Sequence, residues 1–119
     1  MTRLMILGPA LVILGIAALI DLPQTLGAHP WWSVKTLLIG APVGLVLGYF
    51  LRLRIAPIGF SALLLLSYFT AKTGQTRFAA SYAEDAFAGQ LWYFGWIAIA
   101  VMAAALLVSV SRWAVLRRD

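Results

Sequence analysis

The sequence predicts an all-α membrane protein, a four-transmembrane-helix bundle formed as one domain over residues 1–119, and three observations carry that prediction. The chain is 63% hydrophobic and 11% charged, less than half the charged share of about 25% that soluble domains carry. Four apolar stretches each reach the length of a spanning helix, which is about 20 residues with about 17 as the lower limit. The arginines and lysines fall beside those stretches, unevenly between the two sides, as membrane orientation requires. Four such helices buried in a water-soluble core would need a polar exterior that a chain of this size does not supply.

The expected spans are residues 4–20, 34–51, 55–71 and 91–113. The first follows Arg3 and could be taken for a signal peptide. Its apolar run exceeds the usual signal core of about 7–15 residues, and no small-x-small cleavage site follows it. It is expected to be a retained first span. Spans two and three are joined only by Arg52, Leu53 and Arg54, a link so short that the two helices must run antiparallel. Pro57 then falls in the first turn of span three, where its missing N–H costs little.

Two external segments complete the chain. Residues 21–33 contain Pro23, Gly27 and Pro30 and cannot form one continuous helix. Residues 72–90 form the longest polar stretch. Within it, positions 76–90 read as a short interfacial helix between helices three and four. Phe78, Tyr82 and Phe87 would turn towards the membrane, with Arg77, Glu84 and Asp85 turned away.

Six basic residues (Arg3, Arg52, Arg54, Arg112, Arg117, Arg118) lie on one side of this arrangement and three (Lys35, Lys72, Arg77) on the other. Positive charge is retained on the cytoplasmic side, so both termini are expected there. A bacterial inner membrane is the expected location. Tryptophans fit the same boundaries. Trp31, Trp32, Trp92 and Trp96 fall at one level and Trp113 at the other, as interfacial belts do. The net charge of +5 is accounted for by orientation, so no nucleic-acid partner is expected. With no cysteine in the sequence, disulfides, thiolate metal sites and cysteine nucleophiles are excluded.

The clearest local pattern lies in span two. Thr36, Gly40, Gly44 and Gly48 recur every four residues, with Arg52 next in the series, and so line one stripe of a helix. In lipid no hydrophobic force draws helices together, and a glycine groove permits the close backbone approach that replaces it. The stripe could receive another span of the same bundle, a second copy of the chain, or a different membrane protein. Pro42 in the same helix removes one backbone hydrogen bond, so a kink at 38–42 is expected.

Ionisable groups inside a span are the usual mark of transport or proton coupling, because they are costly in hydrocarbon. None lies near the middle of any of the four stretches. The remaining candidates for acid–base or ligand chemistry are Asp21, His29, Glu84 and Asp85, all external and without metal-ligand spacing. They form at most an external polar cluster, and no metal, cofactor or catalytic site is expected. The expected function is that of a small non-catalytic membrane subunit or accessory protein, binding a larger membrane partner through its helices. The alternative is a homo-oligomeric small transporter or channel.

Overall fold

The structure, a computed structural model, describes residues 2–26, 33–51, 55–80 and 86–117, with side chains from 4 to 115 within those ranges. The described residues form five helices in the order α1 (Thr2–Leu19), α2 (Leu22–Leu26), α3 (Ser33–Phe50), α4 (Ala56–Ala80) and α5 (Ala86–Arg117). No strand occurs among them. The principal extents of 54 × 28 × 17 Å describe a slab, one to two helices thick at about 10 Å per helix.

α5 is the axis of the slab. α4, α3 and α1 all pack on it, whereas α4 has no comparable second neighbour. The pairings give the directions. Along α3, Gly40 meets Ala100, Gly44 meets Ala104 and Gly48 meets Val108, so α3 runs parallel to α5. Ile6 and Ala10 cluster with Val108, while Leu14 and Ala17 cluster with Ala100 and Ala104, so α1 runs antiparallel to it. Ala71 meets Gly95 while Ala56 and Phe60 meet Ala105, so α4 is also antiparallel. The start of α1 and the end of α5 therefore share one end of the bundle.

All four expected spans correspond to helices, but several boundaries differ. The polar segment 72–90 holds no separate interfacial helix among the described residues. α4 continues through Lys72 to Ala80, and α5 begins at Ala86 rather than at Leu91. Gly74 disfavours that continuation locally, since glycine in a helix costs about 1 kcal/mol. Packing reverses the balance, because the absent side chain lets α4 lie directly on Ala88, Leu91 and Trp92. Phe78 does not turn outwards either. Its ring lies 5.9 Å from that of Trp92. The expected loop 21–33 contains the one-turn helix α2.

Trp96 departs from the expected aromatic belt as well. It is 4% exposed and packs with Ala71 in the core. α3 and α1 each continue through an internal proline, Pro42 and Pro9. Pro42 is exposed on the side of α3 away from α5.

Two helices, α3 and the stretch Ala86–Val115 of α5, are long and apolar enough to cross a membrane. α1 supplies the shorter apolar run Leu4–Leu19, and α4 joins apolar residues 56–71 to a polar continuation. Large apolar side chains stand exposed on every helix, among them Leu19, Leu38, Ile58, Leu66 and Phe94.

Candidate functional site

The glycine stripe of α3 is occupied by α5 of the same chain. Thr36, Gly40, Gly44 and Gly48 are all buried. A Cβ at Gly40 would lie 2.6 Å from both the Ala100 Cβ and the Ile97 carbonyl oxygen. At Gly44 it would collide with the Val101 carbonyl, and at Gly48 it would lie 2.7 Å from the Ala105 carbonyl. The two backbones are thus in direct contact along three turns, with Ala100, Ala104 and Val108 set into the groove. This is the small-residue packing that brings helices together where hydrophobic force is absent. Thr36 adds no polar demand, since its Oγ1 donates to the Ser33 carbonyl at 2.7 Å.

Arg112 closes the far end of this seam. The last four carbonyls of a helix have no partner within it. A cation at that end meets both the free carbonyls and the negative pole of the helix. From α5, the Arg112 guanidinium donates to the Gly48 carbonyl at 2.7 Å, to the Leu51 carbonyl at 3.4 Å and to the Tyr49 carbonyl. It also lies 5.4 Å from the centre of the Tyr49 ring, within the range of a cation–π contact. Arg52, the next member of the stripe, lies outside the described residues.

Asp21 organises the opposite end. It follows α1 with φ 51°, a left-handed conformation that aspartate tolerates better than most residues. Its amide donates to the Ala18 carbonyl at 3.3 Å and its carbonyl accepts from Thr25 at 3.4 Å, so one residue ends α1 and starts α2. Its carboxylate accepts a hydrogen bond from Ser33 Oγ at 2.7 Å, beside the positive N-terminal pole of α3. The other members of the expected polar cluster, His29, Glu84 and Asp85, lie outside the described residues. Among the described residues no three of His, Cys, Asp and Glu come together.

Three features had no clear counterpart in the sequence reading. One is a second close seam, between α4 and α5. A Cβ at Gly74 would lie 2.7 Å from the Ala88 carbonyl, and one at Gly95 would lie 2.8 Å from both Cα and Cβ of Ala71. The signal was present as Ala71 and Gly74 one turn apart, and Ala88 and Gly95 two turns apart. The second is Ser109, which is 5% exposed and whose Oγ has no hydrogen-bond partner among the described residues.

The third is a groove of about 150 Å³ between α1, α2, α3 and α5. Leu14 and Ala17, Pro23 and Leu26, Leu37, and Trp96 are among the residues that line it, one or two from each helix. Its lining among the described residues is apolar. Compared with protein-family models, with curated proteins and with solved structures, the chain matches none.

Proposed function

We propose that the chain is a small integral membrane protein of four spans, with both termini cytoplasmic, that acts as a non-catalytic subunit docking on a larger membrane partner. The observation that carries this reading is the uncovered apolar surface, above all on α4. That helix turns Ala56, Phe60, Ala71 and Gly74 into α5, and leaves Ile58 (73% exposed), Leu65, Leu66 and Phe69 outside. Exposed apolar patches on soluble monomers stay near 300–600 Å², and no such limit applies where lipid is the solvent. A helix held from one side only presents a long face to a neighbour. The glycine stripe of α3 is not that face, because α5 fills it.

The orientation rests on the arginine bias, which groups Arg112 with the α3–α4 link. The Arg112 contacts on Gly48, Tyr49 and Leu51 are consistent with that grouping. A bacterial inner membrane fits the same bias. Sealed-vesicle labelling of cysteines introduced at Thr25 and Ala114 tests the topology, and extraction at alkaline pH tests the insertion. The docking role is tested by a photo-cross-linker at Leu66. Recovery of one stoichiometric foreign membrane protein supports the reading. Recovery of lipid adducts alone removes it.

A second reading, self-association as a small channel or transporter, is favoured by one observation on α1. A Cβ at Gly8 or Gly15 would meet nothing within 4 Å, so these two glycines leave backbone open for close approach from outside. Self-adducts from a cross-linker at Val12, between them on the same face, would select it.

A further inference from the structure

We infer that the groove between α1, α2, α3 and α5 holds one acyl chain of a phospholipid, with Asp21 at its polar end receiving the ammonium of an ethanolamine headgroup. The inference rests on the membrane reading above. A void of this kind cannot be filled with water, which needs two to four polar partners. Among the described residues the groove offers none, since the one hydroxyl on its wall, that of Thr36, is turned to the Ser33 carbonyl. A dry cavity of about 150 Å³ accepts a benzene-sized apolar guest, and this groove has that volume. It is also open along its rim, which carries the exposed side chains of Ile13, Leu22 and Leu26. Hydrocarbon can therefore enter sideways from the surrounding bilayer.

Length and charge narrow the occupant further. Along α5 the groove runs from Trp96 to Leu107, eleven residues or about 16 Å at the helical rise. One leaflet of a bilayer core about 30 Å thick has about the same depth. The groove thus matches a single chain from one leaflet in length, and its volume encloses a benzene-sized part of that chain while the rest lies along the open rim. Its end towards α2 is marked by Asp21, which immediately precedes the groove residues Leu22 and Pro23. Asp21 uses Oδ1 for Ser33, and a carboxylate keeps further acceptor sites on its second oxygen. Lys35, the described cation nearest to Asp21 in sequence, lies on a different face from the groove. It stands exposed on α3, two residues from the groove residue Leu37 and so about 200° around the helix from it. A primary ammonium, with three donors, suits the second carboxylate oxygen better than a quaternary one, which has none.

The test uses the full chain reconstituted in vesicles whose phosphatidylethanolamine or phosphatidylcholine carries brominated acyl chains, which quench tryptophan on contact. Trp96 lines the groove and is 4% exposed, whereas Trp113 is 54% exposed on the outer surface. Their separate signals are obtained by subtracting the W96F and W113F variants from the unmodified chain. Quenching of both signals, with the Trp96 signal quenched more by the ethanolamine lipid than by the choline lipid, is the expected result. A103F fills the groove from α5 and should abolish the Trp96 quenching alone. D21N should remove the headgroup preference and leave the chain quenching in place. Quenching of Trp113 without Trp96 overturns the inference while leaving the membrane reading intact. Quenching of neither overturns both, and equal Trp96 quenching in the two lipids overturns the assignment of Asp21. Should A103F misfold, native mass spectrometry of the unmodified chain replaces it. A retained one-to-one phosphatidylethanolamine adduct, lost in D21N, supports the inference, and a lipid-free chain overturns it.

Discussion

Arg112 holds Tyr49 in two ways at once: its guanidinium donates to the Tyr49 carbonyl and lies 5.4 Å from the centre of the Tyr49 ring. The two residues are 63 positions apart, on the two parallel helices of the bundle. The contact therefore joins the end of α3 to the last turns of α5, just beyond the point where the glycine stripe ends at Gly48. Only the small side chains of Ala100, Ala104 and Val108 interlock with the glycine stripe, and dispersion falls off quickly when packed surfaces slide apart. A directional, charge-assisted clamp at one end reinforces the register that these small contacts set.

Replacing Arg112 by alanine should therefore destabilise the bundle by about 1.5–3 kcal/mol, the range for hydrogen bonds to a charged group. Lysine should recover only part of this, because an ammonium lacks the planar fork that reaches several carbonyls together. Unfolding in mixed micelles with increasing dodecyl sulfate measures the difference. Equal stability of the alanine and lysine variants, both matching the unmodified chain, would show that the clamp contributes nothing.

Glycines divide sharply by position. Gly44→Ala should cost about 1–3 kcal/mol, the usual price of overpacking, because its Cβ would collide with the Val101 carbonyl and lie 2.7 Å from the Ala104 Cβ. Gly15→Ala should be neutral or stabilising by up to about 1 kcal/mol, since a helical glycine is replaced in open space. The same detergent titration compares the two. Indistinguishable midpoints for both variants would remove the close α3–α5 seam.

The four long helices and their order were legible in the sequence, because apolar length marks them and a three-residue link reverses the chain between the second and the third, whereas the one-turn α2 was not. The stripe Thr36, Gly40, Gly44 and Gly48 was legible as a packing surface, though not its partner. The identity of a partner depends on which other helix offers matching small residues, and several of the alanines and glycines of α5 do so. The end of α4 was misread for a related reason. Polarity at Lys72, Thr73 and Gln75 argues for a loop only if nothing packs on Gly74, and α5 packs there. Burial of Trp96 was also invisible, since position in the chain gives depth along the bundle but not direction around it. The groove arises from the meeting of four helices and has no linear signature at all.

The α4–α5 seam gives a prediction that separates local propensity from packing. Residues 72–80 are polar and contain a glycine, so their helicity should depend on contact with α5. Gly95→Val places a branched side chain where even a Cβ would lie 2.8 Å from Ala71. Amide exchange in 72–80 should accelerate in this variant, while the Gly40–Gly48 region of α3 stays protected. Unchanged exchange in 72–80 would mean that this segment is helical by itself.

Asp21 combines a backbone role and a side-chain role that substitutions can separate. Asn keeps the tolerance for a left-handed conformation and can still accept from Ser33, so Asp21→Asn should lose well under about 1 kcal/mol, chiefly the favourable charge at the start of α3. Gly keeps the backbone conformation and loses the hydrogen bond to Ser33, worth about 1 kcal/mol. Val loses both, and a β-branched residue at φ 51° adds about 1–2 kcal/mol of strain. The expected order of stability is therefore Asp, Asn, Gly, Val. Hydrogen exchange at the amides of Asp21 and Thr25, which close the corner between α1 and α2, should follow the same order. A glycine variant as destabilised as the valine one would assign the whole effect to the carboxylate, and a glycine variant as stable as the native chain would assign it to the backbone.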